Sequence, residues 1–198
     1  MRWFLGIAIA LVVLLGIYIA SPLLVLHSIA FSIESKDAVA LTERIDFPSV
    51  QRAFRKQIVA AYLELTGKSL PIGAIGRRLA VSVADPIAAR LMTIRALLDL
   101  LGKGEAKGVE TVRMDQAPLT AKALESSWRL VLNSTYAGRD FYVRLPPQSP
   151  RSAQFEIHLR LSSWRWVIVG IELPRDLTMR LARELVDTTK ERYERSRD

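Results

Sequence analysis

The sequence predicts an α+β protein: an N-terminal transmembrane helix, then helices packed on a curved antiparallel sheet of about four strands, and a C-terminal helix. Three observations support this prediction. The chain opens with an uncharged apolar run, apolar residues recur with a helical period of about 3.6 up to residue 101, and a period of 2 takes over from residue 127. Helices that precede strands, instead of alternating with them, are typical of the α+β class.

The N-terminal run is long enough to cross a membrane as one helix. Of the 18 residues from Trp3 to Ala20, 16 are apolar, and the exceptions are Gly6 and Gly16. At about 1.5 Å per residue this helix would extend over about 27 Å, close to the ~30 Å of a hydrocarbon core. The predicted membrane-spanning side chains are Trp3, Phe4, Leu5, Ile7, Ile9, Leu11, Val12, Leu14, Leu15, Ile17, Tyr18 and Ile19.

Two other interpretations of this run are a cleaved secretory signal and a buried core helix. Signal cleavage requires small residues after the apolar run, but Tyr18 or Ile19 occupies one of those positions and Pro22 follows closely. A core helix normally has a polar face, which this run lacks. The sequence therefore favours an uncleaved anchor.

Flanking charge predicts the orientation of this anchor. The N-terminal amine and Arg2 precede the span, whereas the first charges after it are Glu34 and Lys36, which offset each other. This balance favours a cytoplasmic N-terminus. In a bacterial cell the protein would be a single-pass inner-membrane protein with residues 21–198 in the periplasm.

The composition excludes several classes of protein. The 198 residues include no cysteine, which rules out a disulfide scaffold, a thiolate zinc site, a cysteine nucleophile and a lipoprotein anchored through cysteine. The net charge of +8 divides into +4 for residues 1–100 and +4 for residues 101–198. Because no basic cluster stands out, we expect no nucleic-acid partner.

Capping residues followed by proline predict where the helices begin. Ser21 and Pro22 predict a new helix directly after the span. Further helices are expected from Asp37 to Arg44, from Asp46 to Gly67 with an apolar stripe on one face, and from Asp85 to Leu101, where Gly102 would stop the last of them.

Alternating residues predict the sheet. Residues 128–136 and 141–145 flank the turn residues Gly138, Arg139 and Asp140 as a hairpin, and residues 154–161 alternate cleanly. Residues 164–173 are apolar on both faces, which favours a central strand after a turn at Ser162 and Ser163. The predicted parts of the chain are an anchor over 1–20, helices over 21–101, a flexible linker or loop over 102–117, the sheet over 118–174 and an amphipathic helix over 175–198.

The first half of the chain resembles a known bacterial family. A span that ends at Ser21-Pro22-Leu23-Leu24, followed by IAFSIESKDAVAL at residues 29–41 and IDFPSVQ at residues 45–51, is similar to the family catalogued as domain of unknown function twenty-nine thirty-nine. The similarity covers roughly residues 1–105. It implies a one-span anchor that carries a small exported domain with no assigned activity.

The order of elements, which closes on WRWVIVGI at residues 164–171, also resembles the nuclear-transport-factor-two-like cone. That fold hosts isomerases, dehydratases and non-catalytic binding modules, so it does not select a function. The long insertion over residues 70–117 and the helix after the last strand depart from the usual cone.

One strand carries a candidate acid–base group. Glu156, His158 and Arg160 project from the same face at period 2, so the carboxylate could orient the imidazole while the guanidinium stabilised an anion. The simpler interpretation is the solvated face of a strand, and the sequence favours it. The other histidine, His27, follows the span and is interpreted as an interfacial polar residue.

A second candidate site is an apolar pocket, whose predicted lining residues are Phe54, Ile58, Tyr62, Trp128, Trp164 and Trp166. No cofactor and no metal are expected, because two distant histidines and scattered carboxylates give no ligand spacing. We therefore expect a non-enzymatic envelope protein that binds a partner protein or an apolar ligand at the membrane face. The alternative is a membrane-anchored isomerase or hydrolase of the cone class that uses Glu156, His158 and Arg160.

Overall fold

The computed structural model describes residues 2–66, 93–103, 105–106, 112–113, 119–120, 124, 127–183 and 186. Helix α1 runs from Arg2 to Glu34 without a break, so the predicted new start at Ser21 is wrong. Pro22 lies inside the helix and has no N–H for the Tyr18 carbonyl oxygen. The Ser21 hydroxyl donates to that oxygen instead, at 2.8 Å, and the helix continues.

The two halves of α1 have different surroundings. From Trp3 to Ile17 the large apolar side chains are exposed, whereas Leu26, Ile29 and Ile33 are buried in the core. By length and composition the helix could cross a membrane, and only 11% of its most apolar 18-residue window is buried. One helix therefore contributes part of the domain core and an exposed apolar segment, residues 3–17, which we call the apolar rod.

Two short capping motifs start the next helices where the sequence predicts them. Asp37 accepts hydrogen bonds from the backbone N–H groups of Val39 and Ala40, both at 3.1 Å, and caps α2, Ala38–Arg44. Asp46 caps α3, Phe47–Thr66, through the backbone N–H and the hydroxyl of Ser49. The predicted end of α3 at Gly67 and the predicted cap at Asp85 lie outside the described residues.

Helix α4 spans Ile94–Lys103 and contains the glycine that was expected to end it. A Cβ atom on Gly102 would lie 2.5 Å from Cγ2 of Ile33, so this glycine permits the close approach of α4 to α1. Two short antiparallel strands, β1 (Glu105–Ala106) and β2 (Val112–Arg113), lie within the predicted linker.

Four antiparallel strands form the main sheet, as predicted, and their order is β3-β4-β5-β6. Their bounds are Ser134–Ala137, Asp140–Leu145, Phe155–Ser162 and Arg165–Glu172. Helix α5, Ser127–Leu132, replaces the first half of the predicted strand over residues 128–136. Short apolar runs do not distinguish a helix from a strand, which explains the error.

Strand β6 is an edge strand, which corrects the predicted central position. Its outer edge is nevertheless covered. Ile45 forms a parallel bridge with Ile168, and the Gln57 amide on α3 donates to the Ile171 carbonyl at 2.8 Å and accepts from the Leu173 N–H at 2.9 Å. Helix α3 packs on β6. This packing explains why an edge strand can carry apolar side chains on both of its faces.

The turn between β5 and β6 consists of Ser163 and Trp164, one residue later than predicted. Both have positive φ, 49° and 63°, as in the two-residue turns that match the twist of a hairpin. After β6, a final helix begins at residue 175 and is described up to residue 183. Leu177 and Leu181 of this helix (α6) are buried against the core.

Candidate functional site

The polar face of β5 carries the three residues predicted as an acid–base group. Phe155, Ile157 and Leu159 are buried, so the alternate residues Glu156, His158 and Arg160 share the opposite face. This agrees with the predicted common face. The hydrogen bonds, however, do not join these three side chains to one another.

Glu156 does not orient His158. It forms an ion pair with Arg144 on β4, with 2.6 Å between a guanidinium nitrogen and a carboxylate oxygen. These residues are cross-strand partners in the register of β4 and β5. The pair therefore neutralises Glu156 on the sheet surface, and the carboxylate that contacts the imidazole comes from elsewhere.

That carboxylate is Asp140, the first residue of β4. Its Oδ1 atom accepts hydrogen bonds from His158 Nε2 at 2.7 Å and from Arg160 Nε at 2.8 Å. Asp140 lies directly opposite Arg160 and diagonal to His158 in the ladder. Asp140 was predicted to lie in the turn, but the turn consists of Gly138 and Arg139 alone, and Asp140 belongs to the strand.

The imidazole of His158 is also held by its neighbours on the sheet. It stacks on Tyr142, its cross-strand partner, with ring centroids 4.3 Å apart and an angle of 18° between the rings. On the other side lies Gly170, where an added Cβ would be 3.7 Å from His158 Nδ1. With Nε2 turned to Asp140, Nδ1 is the ring atom that could accept a proton.

The electrostatics of the group stabilise its carboxylate. Burial pushes the pKa of Asp140 upward, but the hydrogen bonds from His158 and Arg160 outweigh it and hold the pKa below the usual 3.8. The hydrogen bond between Arg160 and Asp140 raises the pKa of Arg160. A carboxylate-oriented imidazole with a guanidinium alongside has the parts of an acid–base site, although each part is already paired within the sheet.

A second arrangement, which the sequence did not predict, joins α1 to the sheet. We call Tyr18, Ser21, Tyr136 and Trp166 the junction. Tyr18 donates to the Gly138 carbonyl at 2.6 Å, Tyr136 donates to the Ile19 carbonyl, and Trp166 Nε1 donates to the Ser21 hydroxyl at 2.8 Å. Burial, with a smaller effect of Tyr18, raises the pKa of Tyr136 to about 12.

Rings pack around these hydrogen bonds. The Tyr18 ring centroid is 6.3 Å from that of Tyr136 and 6.1 Å from that of Trp166, and Phe141 lies 4.6 Å from Tyr136. No local pattern signals this group, because its two members on α1 lie more than 100 residues from its two members on the sheet. Only the fold brings them together.

The residues predicted to line an apolar pocket lie in several environments. Phe54 and Ile58 are fully buried in the core, and Trp166, with 4% exposure, belongs to the junction. Tyr62 is half-buried against the core, and Trp164 is 95% exposed at the β5–β6 turn. Trp128 lies in α5, and its side chain is outside the described part of the structure.

The exposed face of α3 carries a shallow groove lined by Arg52, Arg55, Lys56 and Val59. Three of these four side chains are cationic, but the surface that they present to the groove is almost entirely apolar, from their aliphatic stems and Val59. Within the described ranges, no group of three or more His, Cys, Asp or Glu side chains could hold a metal ion.

Residues 11–100 match one family. It is described as protein of unknown function (DUF2939). The resemblance drawn from residues 21–51 is thus confirmed. No curated protein and no solved structure matches the chain, and the resemblance to the nuclear-transport-factor-two-like cone is not confirmed.

The DUF2939 match begins within α1, includes α2 and α3 and ends within α4. It therefore includes only the later part of the apolar rod, from residue 11, and all of the helix that covers the edge of β6. The Asp140, His158 and Arg160 group and the exposed Trp164 lie on the sheet, after the matched segment.

Proposed function

We propose that this protein is a single-span membrane protein of the bacterial envelope that holds a non-catalytic α+β domain against the membrane face, where the domain binds a partner protein. The observation that carries the proposal is the continuity of α1. Its exposed apolar half passes into the domain core without a hinge, since Leu26, Ile29 and Ile33 on the same helix are fully or almost fully buried. Such a domain cannot move independently of its anchor.

The junction supports an uncleaved anchor over a secretory signal. Removal of the apolar run near residue 20 would take away Tyr18 and Ile19, which hydrogen-bond to the β3–β4 hairpin. It would also remove the ring that packs on Trp166. A signal peptide that is discarded has no reason to make these contacts.

A partner protein is better supported than an apolar ligand. Of the aromatic and aliphatic side chains predicted for a pocket, Phe54, Ile58 and Trp166 are used in packing the core. Arg52 and Lys56 on α3 are exposed, and their charged ends suit an acidic protein surface. A photo-crosslinking residue at Arg52 should capture a specific partner, whereas the same residue at exposed Ser152 should not.

Membrane attachment is tested on the full chain in bacterial cells. The mature protein should keep residues 1–20 by mass spectrometry and should stay in the membrane pellet after alkaline carbonate extraction. A mature chain that begins after residue 20, or one released by carbonate, would refute the anchor.

Orientation is tested separately with reporter fusions after residue 40 and after residue 198. We expect a reporter that works only in the periplasm to be active at both positions, because Arg2 precedes the span and Glu34 offsets Lys36 after it. Activity of a cytoplasm-only reporter at both positions would reverse the proposed topology.

A second candidate function rests on the 2.7 Å hydrogen bond between His158 and Asp140. In this alternative the protein is an anchored hydrolase or isomerase in which Asp140, in place of Glu156, orients His158. Turnover of activated esters that His158→Gln abolishes, in a variant that folds normally, would favour catalysis. Turnover unaffected by His158→Gln would favour a structural role for the pair.

A further inference from the structure

Two turns lie together at one end of the main sheet. Because β4 and β5 are antiparallel, with Asp140 opposite Arg160, the β3–β4 turn and the β5–β6 turn occupy the same end. The Leu161 N–H, near the end of β5, donates to the Arg139 carbonyl at 2.8 Å. This hydrogen bond joins the β3–β4 turn to the strand that leads into the β5–β6 turn. We call Gly138–Arg139 and Ser163–Arg165 the turn surface.

The turn surface lies beside the end of the exposed apolar rod. Tyr18 donates to Gly138 in the first turn at 2.6 Å, and Tyr136, two residues before Gly138, donates to the Ile19 carbonyl. One residue before Tyr18, Ile17 is still 61% exposed. If α1 spans a bilayer from Trp3, residues 18–20 reach the far interface, so the first turn lies at the level of the lipid headgroups.

Trp164 is the most exposed large apolar side chain on the described part of the domain. Its side chain is 95% exposed, and its backbone has φ 63°, a conformation that tryptophan rarely adopts. An indole ring favours the membrane–water interface, where its apolar body and its N–H are both accommodated. Exposed Arg139 and Arg165 flank the same surface, and Arg165 is only loosely paired with Glu43 at 3.5 Å.

We propose that the turn surface binds the phospholipid bilayer into which α1 is anchored, with the Trp164 ring at the interface and the Arg139 guanidinium on a lipid phosphate. This inference rests on the proposed membrane span. Lipid is the favoured occupant because Tyr18, at the end of the proposed span, touches the turn surface. When α1 crosses a bilayer, this contact places the turn surface beside the membrane. The three bonds of the junction would hold the sheet in this orientation.

The absence of native cysteine allows a direct test, because any introduced cysteine is the only labelling site. Full-length Trp164→Cys and Arg139→Cys variants are labelled with a polarity-sensitive fluorophore and reconstituted in vesicles of phosphatidylethanolamine and phosphatidylglycerol. The matched control is Ser152→Cys, which is exposed and lies at the other end of the sheet, about 17 Å away along β4. A Leu11→Cys variant reports on the span itself.

We expect lipids that carry a quencher to reduce fluorescence at positions 164 and 139 several-fold more than at position 152, with strong quenching at position 11. The two labels on different turns guard against local misfolding of either variant. Equal quenching at 164, 139 and 152 would overturn the lipid contact. Labels at 164 and 139 that are shielded from water but not quenched by lipid would overturn it in favour of a protein on that surface.

The position 11 label separates this inference from the proposed function. Strong lipid quenching at 11 with none at 164 and 139 would leave the anchor intact and refute the contact made by the turns. No lipid quenching at 11 would refute the span, and the inference that depends on it would fail with it.

Discussion

Tyr18 and Gly138 lie 120 residues apart in the chain, yet the Tyr18 hydroxyl donates a 2.6 Å hydrogen bond to the Gly138 carbonyl. The bond joins the end of the apolar rod to the turn of the β3–β4 hairpin. Trp166 and Tyr136 add two more hydrogen bonds to the same part of α1. The anchor helix and the sheet are therefore one structural unit, and changes at the junction should affect the stability of the whole domain.

The first prediction concerns Ser21, which replaces the N–H that Pro22 lacks. Its hydroxyl donates to the Tyr18 carbonyl and accepts from Trp166 Nε1, both at 2.8 Å. Ser21→Ala removes the hydroxyl that the Tyr18 carbonyl and Trp166 Nε1 share, and it should lower the free energy of unfolding by about 1–3 kcal/mol. The measurement is chemical unfolding of the full chain in mild detergent.

Pro22→Ala provides the test of mechanism, since an alanine N–H at position 22 can donate to Tyr18. The double variant should be more stable than the sum of the two single effects predicts. Ser32→Ala is the control, because Ser32 donates to the Ser28 carbonyl in the same helix at 2.9 Å and no proline follows it. Strict additivity at positions 21 and 22 would contradict the assigned role of Ser21.

The second prediction concerns pH. The pKa of Asp140 is lowered in the folded state, so its carboxylate contributes stability above the ordinary value of 3.8 and loses that contribution as the pH falls below it. Asp140→Asn should cost about 1 kcal/mol at neutral pH and should weaken the loss of stability below about pH 4. Unfolding curves between pH 2 and pH 7 measure both effects.

Glu172→Gln, on strand β6 of the same sheet, is the matched removal of an exposed carboxylate. If both variants keep the acid sensitivity of the original chain, then the hydrogen bonds from His158 and Arg160 do not stabilise the Asp140 carboxylate. His158→Gln should also reduce the acid sensitivity, because it removes one of these two donors.

The third prediction concerns Gly102. An alanine there would place its Cβ 2.5 Å from Ile33 Cγ2, and Ile33 is a branched side chain with little room to move. We expect Gly102→Ala to destabilise the domain by about 1–3 kcal/mol, although alanine favours helix formation elsewhere. At Gly170 the nearest atoms would be 3.6–3.8 Å away, so Gly170→Ala should be nearly neutral. A stabilised Gly102→Ala would show that α4 packs less closely on α1.

The fourth prediction concerns the edge of the sheet. The Gln57 amide bonds to both the Ile171 carbonyl and the Leu173 N–H. Gln57→Met keeps the side-chain volume but removes both the donor and the acceptor, and it should lower the free energy of unfolding by about 1–3 kcal/mol. Gln57→Glu keeps an acceptor for the Leu173 N–H and loses the donor, so an intermediate loss is expected. Aggregation of the methionine variant, followed by light scattering, would indicate that the edge has become available for pairing.

Several features of the fold could be predicted because their signals are local. The caps at Asp37 and Asp46, the stripe of Val50, Phe54 and Ile58, and the alternation from Phe155 to Leu161 each depend on residues a few positions apart. The errors occurred where one local signal has two meanings. Pro22 marks a helix start in most contexts, but a serine hydroxyl allowed the helix to continue, and Gly102 served close packing where a helix end was expected.

The candidate site was predicted only in part. Period 2 placed Glu156, His158 and Arg160 on one face, and this holds. Their partners depend on the strand register, which a single sequence does not give, so Asp140, Tyr142 and Arg144 were missed.

By itself the sequence determined the apolar run, the α+β class with helices before a sheet of four antiparallel strands, and the DUF2939 resemblance, because each depends on composition or on short-range periodicity. Only the tertiary structure decided that α1 is continuous, that Asp140 orients His158, and that Tyr18, Tyr136 and Trp166 meet around one turn of the anchor. These relationships join residues far apart in the chain. They arise from packing and strand register, which are properties of the whole fold and not of any one segment.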